Sequence, residues 1–516
     1  MYRFRIILPI ALYNVVMTQN SQFKLIALSD VHGSILAHSY HDNLEKGFGL
    51  SRFSSYLSSL DEEILIVDNG DSLQGSPLLS YDHLQKNRPV IMATALNALK
   101  VSYYNLGNHD FNYGQERLLH FIEDMDAKLL STNVLYHNLP LGRSRIHTTT
   151  SGLRLGLIGV CTDYIPHWER PENIKDFTFL DPIETVLKEM DALKNQVDQI
   201  IVLYHGGLEK DPQTGLDTER QTKENVGYAL SLIEGIDVLI TGHQHRSLVE
   251  TIGTCLVTQT TLNAQECVCI TLNPKHAERI DLSKFDVDRQ FEAHFSSIEK
   301  KTQTWLDQTI GFLPYDLRIL DPFKARLHKH ALVSFINQVQ KDISGAQLSA
   351  TALFNEPIGF KSLVSMRDLV STYIYPNTLV VKKIDGKSLR SYLEKNAEYF
   401  SVEDDQIIVN PSYAYPKAQH FNYDMIDGIS YTLKISNPIG SRCIECLYEG
   451  KDVQDDDHFS LVINNYRAAG GGDFTIISSL ETLHEIQIDM VDILAQYFID
   501  HPKVELKHTQ NIKVIF

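Results

Sequence analysis

Six apolar runs of strand length recur along the first half of the chain, and five of them end in a polar tip built from residue types that bind metals. The runs are KLIALSD (24–30), EILIVDNGD (63–71), YYNLGNHD (103–110), LRLGLIGV (153–160), QIIVLYHGG (199–207) and DVLITGHQH (237–245). Four or more consecutive apolar residues predict strands buried on both faces. Amphipathic stretches such as 88–100 and 181–197 alternate with them, so the predicted class is a layered α/β fold. In an open α/β sheet, loops after the C-terminal strand ends meet at one crevice. The tips Asp30-Val31-His32, Gly70-Asp71, Gly107-Asn108-His109-Asp110, His205-Gly206-Gly207 and Gly242-His243-Gln244-His245 are therefore expected to gather in space.

Taken singly, each tip has an ordinary reading. An Asp-x-His is usually a turn with a capping carboxylate, and a lone histidine is usually a surface or core residue. Five in order, all at strand ends, predict a metal site. Mixed imidazole and carboxylate donors favour Zn, Mn, Fe, Co or Ni over calcium. One carboxylate bridging two such ions, about 3.5–4 Å apart, lets them clamp a phosphoryl oxygen and activate water. The formal charge of -18 argues against a nucleic acid polymer or an anionic membrane as partner. It would also repel an anionic small molecule, unless divalent cations reverse the field locally.

At 516 residues the chain is too long for one ordinary core. The expected division is an N-terminal extension (1–22), an α/β-sandwich domain (23–289), a polar interdomain helix (290–321) and a second α/β domain (322–516). The second domain is expected to carry helices at 323–342 and 386–399 and strands at 429–435 and 459–464. Residues 1–17 read as a weak signal peptide or as sequence ahead of a true start at Met17. A cytoplasmic location is the expectation, with export the alternative, no integral membrane segment, and a monomer or weak oligomer. Six cysteines do not make a disulfide framework, and Cys443-x-x-Cys446 reads as structural.

The five blocks resemble the calcineurin-like metallophosphoesterase superfamily, and GDSLQGSPL (70–78) and GNHDFNYG (107–114) resemble its 5'-nucleotidase branch. The resemblance implies an N-terminal metallophosphoesterase domain, an interdomain helix and a C-terminal nucleotidase domain, with two divalent metal ions (Zn, Mn or similar). Asp30, His32, Asp71 and His245 would hold one ion. Asp71, Asn108, His205 and His243 would hold the other, with Asp71 bridging. His109 would contact the phosphate and protonate the leaving oxygen.

In the second domain the blocks are FNYDMIDG (421–428) and NNYRAAGGGDF (464–474). Unaided, their tyrosines read as packing residues; the resemblance implies that Tyr423 and Tyr466 sandwich a base. Asp427 and Asn464 or Asn465 are candidate hydrogen-bonding neighbours, with turn capping the equal alternative. Two departures are informative. FNEPIGF (354–360) keeps Asn355 but lacks the arginine that grips a 5'-nucleotide in this branch. Asn112 stands where the branch has an aspartate paired with the catalytic histidine, so it can orient His109 but not raise its pKa by charge. NYRAAGG, FNYDMIDG, YPNTLVV (375–381) and GHQH are closer to bacterial 2',3'-cyclic-nucleotide 2'-phosphodiesterase/3'-nucleotidases. The expected function is therefore dinuclear-metal hydrolysis of nucleotide phosphate esters, with metal-activated water as nucleophile. A 5'-nucleotidase or UDP-sugar hydrolase is the alternative. A catalytically dead nucleotide-binding protein is remote, because every expected ligand position is filled.

Overall fold

The computed structural model describes residues 23–516 apart from 168, 219–222, 376, 416 and 487, so the expectations for residues 1–22 lie outside the described residues. Two six-stranded sheets face each other in the first lobe. One runs Lys275–Asp281, Glu266–Leu272, Lys24–Leu28, Ile64–Asp68, Tyr103–Tyr104 and Lys128–Leu129. The other runs Leu248–Ile252, Cys255–Gln259, Val238–Thr241, Gln199–His205, Arg154–Cys161 and Arg145–Thr148. Within them the six predicted runs pair in parallel, for example Ile26 with Ile66, Leu203 with Gly159 and Val202 with Leu239.

The continuous apolar runs are explained by what covers each face. Leu25, Ala27, Val67, Leu157, Leu203 and Ile240 meet between the sheets. On the outer face of the first sheet, Ile26, Leu28 and Ile66 pack beneath Phe53, Leu96 and Phe121. Val202, Tyr204 and Leu239 do the same beneath Val186 and Leu193 of the helix Pro182–Leu193. With a helical layer on each side, neither strand face is left for solvent.

The second lobe is built on a five-stranded sheet in the order Asp424–Asp427, Leu348–Ala352, His458–Asn464, Leu379–Asp385 and Thr482–Ile486. The helix expected over 323–342 is two helices, Pro322–Leu327 and Ala331–Ser344. The break falls where Lys329 takes a left-handed backbone (φ 51°) and buries its ammonium against the Asp427 carboxylate. His330 then caps the second helix through its ring, which accepts from the Leu332 N–H.

The helical part of 290–321 ends at Leu306. Helix Ser296–Leu306 lies on the first lobe, where the Trp305 and Tyr81 rings are 5.7 Å apart. Thr309–Phe312 already pairs with Leu363–Ser365 of the second lobe. Side-chain bonds tie the lobes directly: Arg367 reaches the Tyr40 carbonyl at 2.5 Å, and Gln74 donates to the Ile374 carbonyl at 3.1 Å. Among the described residues no helix is long and apolar enough to cross a membrane.

Candidate metal centre and active site

The strand-end loops converge. Asp30, His32 and His245 offer donor atoms within 4.8 Å of one another, and so do Asp71, His205 and His243. Asn108 joins the second group, its side-chain oxygen 2.8 Å from His243 Nδ1. The groups adjoin, since Asp30 Oδ1 is 3.3 Å from His245 Nε2 and 3.9 Å from His205 Nε2. Local backbone cost accompanies this convergence. Asp30, His32, Asp71, His243 and His245 all have positive φ, between 47° and 67°, a region non-glycine residues seldom occupy and one that clusters at functional sites. Gly107 has to be a glycine, because a Cβ there would collide with the Asp71 carboxylate.

Three of the four cage histidines are oriented by their second ring nitrogen. His32 Nδ1 donates to the Gln74 carbonyl (3.0 Å), and His205 Nδ1 to the Asn69 carbonyl (2.6 Å). Both Nε2 atoms therefore face inward. His243 is turned the other way, with Nε2 donating to Glu224 at 2.9 Å and Nδ1 facing Asn108. An anchored N–H opposite the nitrogen turned to the cage is the outer support that metal-binding histidines carry. Among the described residues, His205 Nε2 and Asp71 Oδ2 are buried without a hydrogen bond, yet lie 3.0 Å apart. Two buried donors aimed at one point and bonded to nothing else suit a shared cation, and the imidazole and carboxylate set suits a divalent transition metal.

The electrostatics agree. Burial alone would raise the Asp71 carboxyl, but the rings of His205, His109 and His32 outweigh it and hold the group well below the usual carboxylate range. Burial alone would lower His205, but the Asp71 carboxylate beside it pushes it up to about 10. Burial takes His32 down to about 4, so at neutral pH its lone pair is not blocked by a proton. Asp71 thus acts on rings in both groups, which is the position expected of a bridging ligand.

Sequence reasoning did not single out Asp110. Its buried carboxylate accepts the N–H groups of Asp71, Ser72, Leu73 and Gly107 at 2.8–3.2 Å and the Tyr104 hydroxyl at 2.9 Å. It is the hub that shapes the Asp71 loop. His109 sits beside it, with its N–H on Asp71 Oδ1 (2.6 Å) and its Nδ1 on Asn112 Oδ1 (2.7 Å). From the second lobe, Tyr375 stacks on the His109 ring with centroids 5.3 Å apart, and Lys417 Nζ bonds the His243 carbonyl at 3.2 Å.

The structure corrects three expectations in the second lobe. Tyr423 is fully buried, stacked on Tyr399 at 4.9 Å and edge-on to Phe400, so it is a core residue and cannot meet a ligand. The aromatic neighbour of Tyr466 is Phe421, set edge-on to it at 75° with centroids 6.1 Å apart and both rings partly exposed. Asp427 is the partner of Lys329 and pairs with Ser349, at the opposite end of its strand from Asp424. Asn355 spends both ends of its amide on the loop before Phe421, donating to the Ala418 carbonyl and accepting from the His420 N–H, each at 2.9 Å. Asn464 caps the helix Asn465–Ala468. The hydroxyl of Tyr423 is buried without a partner among the described residues. Tyr423→Phe should therefore leave the melting temperature unchanged or raise it, by up to about 1 kcal/mol of stability. Tyr423→Ala should cost about 3–5 kcal/mol.

Paired β-sheets that collect histidines, carboxylates and an asparagine into two adjoining cages, with a further histidine at the edge, define a metal-dependent phosphoesterase. Residues 23–247 match the calcineurin-like phosphoesterase family and residues 310–479 the 5'-nucleotidase C-terminal domain, and the chain belongs to this family of phosphoric ester hydrolases. It is 27% identical to a Salmonella typhimurium 2',3'-cyclic-nucleotide 2'-phosphodiesterase/3'-nucleotidase, over 87% of this chain and 81% of that one. It is 26% identical to a Bacillus subtilis trifunctional nucleotide phosphoesterase over 94% of this chain, which spans only 38% of that longer protein. A Staphylococcus aureus structure provisionally named a 5'-nucleotidase superposes with a TM-score of 0.88 at 31% identity, covering 96% of this chain and all of that one. The family uses divalent metals, in keeping with the clusters seen here.

Proposed function

We propose that the chain hydrolyses 2',3'-cyclic nucleotides to 3'-nucleotides and these to nucleosides, using two divalent metal ions. The observation that carries the reading is the pairing of the two adjoining cages with a second-lobe aromatic pair close to them. Glu224, bonded to His243, lies near enough to act electrostatically on Tyr466. A base stacked on Tyr466, with the edge-on Phe421 ring turned parallel to receive its other face, would present its phosphate to the cages. The Tyr466 ring lies against Gly471, where any Cβ would collide with it.

Bound in the two cages, the cations would supply the Lewis acidity that activates water and neutralises phosphoryl charge. Asp30, His32, Asp71 and His245 would hold one and Asp71, Asn108, His205 and His243 the other. His109 would donate a proton to the leaving sugar oxygen. Phe421 and Tyr466 would stack on the base, giving affinity with little base selectivity.

A 5'-nucleotidase reading has the 31% identity with the Staphylococcus aureus protein in its favour. Against it stands 354–360, FNEPIGF, with no arginine for a 5'-phosphate ester. Zinc- or manganese-loaded enzyme assayed on 2',3'-cyclic AMP, 3'-AMP and 5'-AMP separates the two. Turnover of 5'-AMP alone would overturn the proposal.

Phe421→Ala and Tyr466→Ala should each raise KM for these nucleotides about 10- to 100-fold, from about 1–3 kcal/mol of stacking per ring. Turnover of 4-nitrophenyl phosphate, which has no base, should stay near its original rate. Equal losses on both substrates would assign the two rings to the fold.

A further inference from the structure

The aspartate that pairs with the catalytic histidine elsewhere in this branch is replaced here by Asn112, which carries no charge. A carboxylate stands directly behind it. Asn112 Nδ2 donates to Glu169 Oε2 at 2.6 Å, while Asn112 Oδ1 faces His109 Nδ1 at 2.7 Å. Glu169 is itself held: its other oxygen accepts from the Arg170 N–H (2.7 Å) and from Asn173 Nδ2 (2.8 Å). Asn173 also bonds the Asn112 carbonyl at 3.0 Å. The Arg170 guanidinium reaches across the lobes to Asp489 at 3.1 Å, so the loop carrying Glu169 is tied to the second lobe.

We propose that Glu169 is a positioning residue that acts on His109 through the Asn112 amide. The logic is one of hydrogen-bond polarity. An ionised carboxylate only accepts, so the amide must present its NH2 to Glu169 and its oxygen to His109. His109 must then hold a proton on Nδ1, and Nε2 is the nitrogen left for the substrate. Without Glu169 the amide is free to turn over. Its NH2 would then face Nδ1, which would have to accept, and the ring could no longer carry protons on both nitrogens. The carboxylate thus keeps Nδ1 a donor, so that the ring retains a proton after Nε2 gives its own to the leaving oxygen, with a neutral amide interposed.

This inference rests on the proposed role of His109 in phosphate ester hydrolysis. In that reaction the P–O bond to the leaving oxygen breaks and a P–O bond to a water oxygen forms. His109 Nε2 gives its proton to the leaving oxygen and is reprotonated as the attacking water loses one. A leaving group that is already a stable anion needs no such proton. The effect of Glu169 should therefore depend on the leaving group.

The test is made on metal-loaded enzyme with 3'-AMP and glycerol 2-phosphate, which have poor leaving groups, against 4-nitrophenyl phosphate, which has a good one. Glu169→Gln should lower kcat on the first two about 10- to 100-fold, a part of the 10²- to 10⁴-fold that a placed general acid contributes. KM and the rate on 4-nitrophenyl phosphate should each change by no more than about twofold, because neither depends on that proton. Adding Asn112→Asp to Glu169→Gln puts a carboxylate directly on His109 and should restore most of the lost rate. In 15N-histidine-labelled enzyme the Nδ1–H signal of His109 should be lost in Glu169→Gln and return in the double variant. Equal losses on all three substrates, no loss on any, or no recovery in the double variant would each overturn the proposal. Glycerol 2-phosphate keeps the test separate from the nucleotide reading: a wild-type enzyme inactive on nucleotides but active on glycerol 2-phosphate would sink that reading and still decide the role of Glu169.

Discussion

Asp71→Asn should lower kcat/KM for every phosphate ester by at least about 10³-fold, the equivalent of about 4 kcal/mol of transition-state stabilisation. The substitution is nearly isosteric. Its side-chain oxygen can still accept the His109 N–H that Asp71 Oδ1 accepts at 2.6 Å, and Asp110 still organises the loop, so the fold should survive. What disappears is the negative charge facing His205 at 3.0 Å and acting on rings of both cages. Metal content by mass spectrometry should fall in parallel with activity, while the circular dichroism spectrum stays the same. A variant that kept both its metal and its rate would refute the assignment of Asp71 as a shared ligand.

His109→Ala should behave differently. Loss of a placed general acid is expected to reduce kcat about 10²- to 10⁴-fold on nucleotides. The reduction on 4-nitrophenyl phosphate should be much smaller, because nitrophenolate leaves without help. Metal content should change little, since the ring packs edge-on to His32 with centroids 5.4 Å apart but supplies no donor to either cage. A fall in metal content, or an equal loss on both substrates, would mean that the residue supports the cages and takes no part in proton transfer.

The two lobes differ in how far their motifs could be read. In the first, each donor follows directly on a strand whose apolar run reveals it, and the order of the sheet brings the loops together. In the second, exposure decides which ring of FNYDMIDG is accessible to a ligand. Tyr423 leads into the strand Asp424–Asp427 and turns into the core, and Phe421, two residues earlier in a 3-10 turn, stays partly exposed edge-on to Tyr466. Asp427 sits at the wrong end of the same strand and answers the buried Lys329. Nothing in the local pattern distinguishes an aromatic residue that packs from one that stacks on a base.

From the amino-acid order alone come the α/β class and the five loops, because strand burial and turn chemistry are local properties that leave a periodic trace; the choice of Asp30, His32, Asp71, Asn108, His205, His243 and His245 within those loops came from the resemblance of the motifs to a known family. Only the tertiary structure decided which residues support them. Glu224 behind His243, Asp110 beneath the Asp71 loop, Tyr375 over His109 and Glu169 behind Asn112 are joined by contacts between loops or between lobes. Such contacts follow from how the layers pack and have no spacing along the chain by which to be recognised.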